Sequence, residues 1–112
     1  MGAQGTTTVN FGAFPGTADT SVAITGLTSI LSSSLVEAWI IPTATADHSA
    51  DEHWVDPPRV VAGNVVAGVG FTIYATARDD NGFPTQPANG RRQEFTNTNA
   101  LYGQWTVAWV WN

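Results

Sequence analysis

Residues 101–112 read Leu-Tyr-Gly-Gln-Trp-Thr-Val-Ala-Trp-Val-Trp-Asn. Large apolar side chains occupy every second position from Trp105 to Trp111, which is typical of a β-strand with one buried face. This row holds three of the chain's five tryptophans, and each large aromatic side chain can bury about 150–250 Å². We therefore predict that the row forms much of the core and is not a sugar-stacking surface: Trp105, Val107, Trp109 and Trp111.

The rest of the chain has the same period of two in shorter stretches. Alternation predicts strands at 6–12, 20–26, 59–63, 64–70 and 71–77, with a tight hairpin at Gly63-Asn64. Residues 35–41 are apolar on both faces except for Glu37, which indicates a central strand covered on both sides, with Trp39 in the core. Since no long helical pattern occurs, we predict a single all-β domain over residues 1–112. It is an antiparallel β-sandwich, jelly-roll or immunoglobulin-like, of about seven or eight short strands.

Two segments lack a strand pattern. Residues 1–5 are expected to form a flexible N-terminal arm. Residues 78–100 are expected to be a long loop or projecting hairpin, either a partner-binding element or a mobile surface loop. Arginine and aromatic residues are enriched in protein interfaces, and Trp54 is the tryptophan expected to be exposed. The candidate partner-binding residues are Trp54, Phe83, Arg91, Arg92 and Phe95.

The composition excludes several classes of function. The 112 residues contain no cysteine, and nine acidic residues outnumber four basic ones, all arginine, for a net charge of −5. A negative chain is not expected to bind nucleic acid, and no apolar run approaches the roughly 20 residues of a membrane span. Only 12% of the residues are charged, against about 25% in a typical domain. That shortage fits either a surface partly covered by other subunits or a threonine-rich sheet surface.

Residues 47–53, Asp-His-Ser-Ala-Asp-Glu-His, are the one cluster with the composition of a metal site. On a helical turn capped by Thr45 or Asp47, three side chains would share a face, and histidine with carboxylates can bind zinc or manganese. We favour the alternative, a capped surface turn in which one histidine packs against Trp54 or bonds to a loop carbonyl, and we expect no metal or other cofactor. The candidate ligands are His48, Asp51, Glu52 and His53.

No motif for covalent or phosphate chemistry occurs. The serines are not in a Gly-x-Ser-x-Gly context, and the glycines of residues 63–70 lack the lysine of a phosphate-binding loop. The neighbouring carboxylates at Asp51-Glu52 and Asp79-Asp80 suit solvated loops better than a catalytic pair in a cleft. Since no set of residues meets the requirements of a catalytic site, we expect no catalytic residues and no enzyme.

Three blocks carry a resemblance to a known group of proteins. They are residues 8–16 (Thr-Val-Asn-Phe-Gly-Ala-Phe-Pro-Gly), residues 36–41 with 44–53, and residues 67–74 with 101–111. Through these blocks the chain resembles small proteins encoded in the structural-gene regions of tailed bacteriophages and prophages, which vary in length near residues 82–100.

The resemblance implies a class of function without any site residue. It implies a virion component, assembled in the cytoplasm of the host bacterium, most simply a decoration (cement) protein that binds and stabilises the capsid shell. The implied partners are the major capsid protein or tail proteins, and the implied state is a homo-oligomer. The alternative is a tail- or fibre-associated protein or a carbohydrate-binding module that attaches to a host glycan through Trp54 and loop aromatics.

Overall fold

The computed structural model describes residues 2–77 and 100–112. These ranges contain six strands and one short helix, where seven or eight strands were expected. Within them, no helix has both the length and the apolar character needed to cross a membrane. In chain order the elements are β1 (Ala3–Asn10), β2 (Asp19–Ile24), β3 (Val36–Ile40), α1 (Ala50–Val55), β4 (Arg59–Val66), β5 (Gly70–Thr76) and β6 (Gln104–Trp111).

The six strands form two antiparallel three-stranded sheets, ordered β1-β6-β3 and β2-β5-β4. Both sheets contribute to one hydrophobic core, in which Phe71 of β5 meets Trp109 of β6 edge to face at 5.7 Å between ring centroids. The alternation predicted for β2 and β5 is confirmed, since Val22 and Ile24 pack against this core and Ile73 is fully buried. The arrangement fits the predicted all-β sandwich.

The tryptophan row of β6 lies in the core, as predicted. Trp105, Val107 and Trp111 are buried, and Trp109 is partly buried against the same cluster. On the opposite face of β6, Thr106 and Ala108 are buried, whereas Gln104 and Val110 are partly exposed. This strand therefore anchors the sandwich.

Trp109 fits between the strands because its two cross-strand neighbours are small. The register places Gly5 of β1 on one side of Trp109 and Ala38 of β3 on the other. A Cβ atom on Gly5 would lie 2.6 Å from Cζ2 of Trp109, which is closer than real Cβ contacts come. Ala3–Gly5 were expected to be part of a flexible arm, and that prediction is wrong. They begin β1, and Gly5 is small because the indole ring occupies the space beside it.

The prediction of a central strand at residues 35–41 is also wrong. Among the described residues, β3 pairs with β6 on one side only, so it lies at the sheet edge. Its inner side chains reach the core, but the outward Glu37 is exposed, as is Leu35 just before the strand. Trp39, expected in the core, lies on this outer face and is 44% exposed. An apolar stretch thus occurs on a face that the rest of the described chain leaves open.

The Gly63-Asn64 dipeptide forms a β-bulge and not the predicted hairpin. The pairing of β4 with β5 shifts register between Gly63 and Val66, and Asn64 has a φ of 55°. The chain reverses later, at residues 67–69, where Val69 N–H donates to the carbonyl of Val66 at 3.0 Å. The dipeptide signalled a left-handed residue correctly, but such residues occur in bulges as well as in hairpin turns.

The packing of Trp109 predicts that alanine is destabilising at one strand glycine and tolerated at another. We expect Gly5→Ala to lower the free energy of unfolding by about 1–3 kcal/mol, because the new methyl group meets the indole ring. Gly63→Ala is the matched control, since a Cβ there has nothing within 4 Å. It should be neutral or stabilise by up to about 1 kcal/mol through the unfolded chain. Urea unfolding of both variants measures this, and an unchanged Gly5→Ala variant would contradict the packing assigned to Trp109.

Candidate functional site

Three connections meet at one end of the sandwich, which we call the loop end. They are residues 11–18, residues 41–58 with α1, and the β5–β6 connection, of which residues 77 and 100–103 are described. The register confirms their proximity, because Asn10 pairs with Gln104 and Thr17 bridges to Leu101. Connections at one end of a rigid sandwich are where binding residues concentrate. The cluster at residues 47–53 and Trp54 both lie at this end.

The helix α1 begins at a capping box. The Ser49 hydroxyl accepts a hydrogen bond from Glu52 N–H at 3.2 Å, and Ser49 N–H donates to the Glu52 carboxylate at 2.7 Å. The N-cap is therefore Ser49, and the prediction of Thr45 or Asp47 is wrong. Thr45 instead orders the preceding turn, where its hydroxyl accepts from the N–H groups of Asp47 and His48. The sequence carried a sufficient signal, because Ser-x-x-Glu is the capping-box pattern.

Side chains complete the hydrogen bonding of β6 where β3 has ended. Gln104 N–H donates to Oδ2 of Asp47, and the Gln104 carbonyl accepts from the hydroxyl of Thr45, both at 2.8 Å. Two residues further on, Thr106 N–H donates to Nε2 of His53 at 2.9 Å. A buried backbone group without a partner costs about as much as a lost hydrogen bond. Residues 45–53 thus replace the missing part of an edge strand.

His53 uses both ring nitrogens inside the protein. Its ring is 1% exposed and lies 5.0 Å from the ring of Trp105. Nδ1 donates to the carbonyl of Ser49 at 2.7 Å, while Nε2 accepts from Thr106 N–H. Because a carbonyl only accepts and an N–H only donates, this geometry assigns a neutral ring with its proton on Nδ1. A metal ion at either nitrogen would displace one of these bonds.

His48 precedes α1 and is also buried, and both of its ring nitrogens face protein atoms. Its ring stacks on Trp105 with 3.9 Å between centroids, and Nε2 donates to the carbonyl of Tyr102 at 2.7 Å. Nδ1 faces Oε2 of Glu52 at 3.3 Å. The Ser49 N–H bond, followed by the His48 contact, holds the pKa of the Glu52 carboxyl below its ordinary value. The carboxylate is thus kept ionised by its role in the helix cap.

The four candidate metal ligands do not converge on one point. His48 meets Glu52, but His53 points towards β6, and Asp51 is exposed. In residues 2–77 and 100–112 no group of three or more His, Cys, Asp or Glu side chains is placed to hold a metal ion. The geometry is that of a capped turn whose histidines bond to loop carbonyls. They pack against Trp105, and the suggested contact with Trp54 is not what the structure shows.

A line of aromatic rings runs from the surface to the core at the loop end. Exposed Phe14 meets Tyr102 edge to face at 5.3 Å, and Tyr102 lies 4.8 Å from His48, which stacks on Trp105. The Nε1 atom of Trp105 is buried and has no hydrogen-bond partner among the described residues, so stacking and apolar contacts hold this ring. Sequence periodicity could not find Phe14 or Tyr102, because both lie in loops.

The exposed candidate at the loop end is Trp54. It is 67% exposed on α1, and its neighbour Val55 is 66% exposed. The other partner-binding candidates lie outside the described residues, as does nearly all of the predicted long loop at residues 78–100: Phe83, Arg91, Arg92 and Phe95.

Comparison of the chain with protein-family models, curated proteins and solved structures finds no match. The chemistry of the loop end must therefore be inferred from its geometry. Its two histidines bond inward, and Trp54 and Val55 face outward on a fixed helix. The outward-facing groups at this end of the sandwich therefore include an indole and an aliphatic side chain, three and four residues after the carboxylate of Asp51.

The bond from Thr106 to His53 predicts a specific loss of stability. We expect His53→Phe to lower the free energy of unfolding by about 1–3 kcal/mol, because Thr106 N–H is left buried without an acceptor. Trp54→Phe is the control, since exposed positions usually change stability by less than about 0.5 kcal/mol. Long-range ¹⁵N–¹H NMR of the unaltered protein should show His53 protonated on Nδ1. Finding the proton on Nε2 would contradict the assigned bond.

The capping box predicts a pH-dependent contribution to stability from Glu52. Because its pKa is lowered in the folded chain, its contribution is complete above the unfolded pKa and is lost as the pH falls through the folded one. Melting temperatures between pH 6 and pH 3 should thus fall less steeply for Glu52→Gln, which can still accept from Ser49 N–H but cannot ionise. Ser49→Ala should lower stability by about 0.5–2 kcal/mol with the pH slope unchanged. Equal slopes for Glu52→Gln and the original protein would exclude this role.

Proposed function

We propose that the chain is a non-enzymatic structural component of a tailed-bacteriophage virion, most simply a decoration protein that binds and stabilises the capsid shell. The observation that carries the proposal is that inward and outward side chains at the loop end have different roles. Hydrogen-bonding groups there complete β6, and the rigid helix α1 presents Trp54 and Val55 outward. The resemblance of three sequence blocks to phage structural proteins supports the particle as the place of contact.

A decoration protein of this kind acts by mass action. A ligand that binds only the folded, assembled shell stabilises it by RT ln(1 + [L]/Kd), about 4 kcal/mol per site at a thousandfold excess over Kd. A sandwich with a pinned helix suits this role because little conformational freedom is lost on binding. Sites on the symmetry axes of a shell would require an oligomer of matching symmetry.

We infer further that the sandwich is of the jelly-roll type. The strands pair as nested sets, β1 with β6 and β2 with β5, and the chain crosses between the sheets at each of its first three connections. A long hairpin rolled into two sheets gives this order. The immunoglobulin-like order places its first two strands in one sheet, whereas β1 and β2 lie in different sheets. The strand order thus supports the jelly roll.

The proposal is tested on particles of the phage or prophage that encodes the chain. We expect quantitative mass spectrometry to find the protein in purified heads, in numbers that follow the capsid lattice. Particles without it should assemble but release DNA at a lower temperature, and adding the purified protein should restore that temperature. Recovery with separated tails would place it in the tail instead, and absence from both fractions would overturn the proposal.

A second candidate function is glycan binding through Trp54. Its exposed indole is the observation that favours it, because an aromatic face with a polar margin can stack on a sugar ring. A polysaccharide pull-down with the original protein, Trp54→Ala and the control Leu31→Ala distinguishes the two functions. Leu31 is a comparably exposed apolar residue outside the loop end. If the protein stays monomeric, ignores capsids and binds a polysaccharide only through Trp54, glycan attachment replaces shell stabilisation.

A further inference from the structure

The exposed side of α1 carries two large apolar residues beside its acidic ones. A surface helix normally buries its apolar residues and exposes polar ones. In α1 the buried residue is His53, whereas Trp54 and Val55 are exposed. Isolated exposed apolar residues are common, but here two are adjacent on one helix that also carries Asp51. We call the surface formed by Asp51, Trp54 and Val55 the α1 face.

The α1 face is held in place from beneath. An isolated helix of six residues would not be stable in water, yet α1 is fixed at both ends. The capping box holds its start, and Asp56 N–H donates to the carbonyl of Glu52 at 3.0 Å at its end. His53 ties its inner side to β6. Binding at this face would therefore cost little ordering of the backbone.

The exposed ionisable side chains of α1 and of its C-cap residue are all acidic. Asp51 lies three residues before Trp54 and four before Val55, so the three side chains share one side of the helix. Glu52 of α1 and its C-cap residue Asp56 are exposed as well. Over the described residues the one arginine is Arg59, whereas the carboxylates are Asp19, Glu37, Asp47, Asp51, Glu52 and Asp56.

We propose that the α1 face is a docking surface for a different protein that presents arginine or lysine beside apolar side chains. A guanidinium group over the indole of Trp54 gains a cation–π contact and reaches the carboxylate of Asp51, while an aliphatic neighbour covers Val55. Tryptophan is among the residues that contribute most at the centres of interfaces. The inference deepens the proposed function and rests on it for the location of the partner in the virion.

Charge complementarity decides between the possible occupants. Two copies of the α1 face related by a two-fold axis would bring Asp51 and Glu52 against the same carboxylates, and like charges in an interface are costly. Nucleic acid and anionic membranes are repelled for the same reason. A basic, partly apolar protein surface satisfies both the charge and the exposed tryptophan.

The test uses defined peptides on the complete, folded protein. The probe is a short synthetic peptide of alternating arginine and leucine, with a glutamate–leucine peptide and an arginine–serine peptide as controls. We expect only the arginine–leucine peptide to shift the indole N–H signal of Trp54 and the amide signals of α1 in ¹H–¹⁵N spectra. Its affinity should fall as salt is raised, because exposed charges are screened.

Matched variants assign the binding to the α1 face. Trp54→Ser and Asp51→Lys should each weaken the arginine–leucine peptide by at least about tenfold. Leu31→Ser and Glu37→Lys remove an exposed apolar group and reverse an exposed charge away from the loop end, and they should leave the affinity unchanged. All four positions are exposed, so melting temperatures should show that each variant still folds.

The outcomes separate this inference from the proposed function. Undiminished binding by Trp54→Ser, equal binding of the glutamate–leucine peptide, or shifts away from α1 would overturn it. Binding to a polysaccharide panel through Trp54, without binding of the arginine–leucine peptide, would assign the face to a glycan instead. If the protein is absent from virions but the peptide results hold, the docking surface stands and the proposed function fails. If it is present in virions but the peptide does not bind, the reverse is true.

Discussion

The whole structure depends on satisfying the backbone of β6, a strand buried on one face and hydrogen-bonded on both sides. β1 pairs with its full length, but β3 ends at Ile40 and pairs with only part of it. At Gln104 and Thr106 a partner strand is missing, and the N–H groups there, of which that of Thr106 is buried, must still find acceptors. Asp47 and His53 supply them from the connection that follows β3. This need fixes the path of residues 45–53.

The same constraint explains why residues suited to catalysis do structural work at the loop end. Histidine can accept a backbone hydrogen bond with one nitrogen and donate with the other, and His53 does both. Glu52 is the carboxylate of a helix cap, and its contact with His48 joins the cap to the ring stacked on Trp105. A cluster of histidines and carboxylates in a sequence therefore indicates a chemically demanding position. It does not show whether those side chains catalyse a reaction or satisfy backbone groups that lack a partner strand.

The sequence predicted features that are encoded within a single strand, such as which of its faces is apolar. Alternation identified the buried face of β6 because Trp105, Val107 and Trp111 all lie on it and are buried together. It failed for β3, since alternation reports which face is apolar and not whether a second strand or layer covers the other. It also missed the start of β1, because Gly5 is small to make room for Trp109, and a small residue looks like an absent strand. The loop end was least predictable, because its contacts join residues far apart in the chain.

The sequence of α1 separates into two sets with different physical requirements. Ser49, Glu52 and His53 determine where the helix lies, because their side chains make hydrogen bonds that fix its start and its inner side. Trp54 and Val55 make no comparable contribution to the fold, since both side chains are mostly exposed. Stability and solubility would both favour polar residues at these two positions. Their apolar character is thus unexplained by folding, and the docking contact proposed above would account for it.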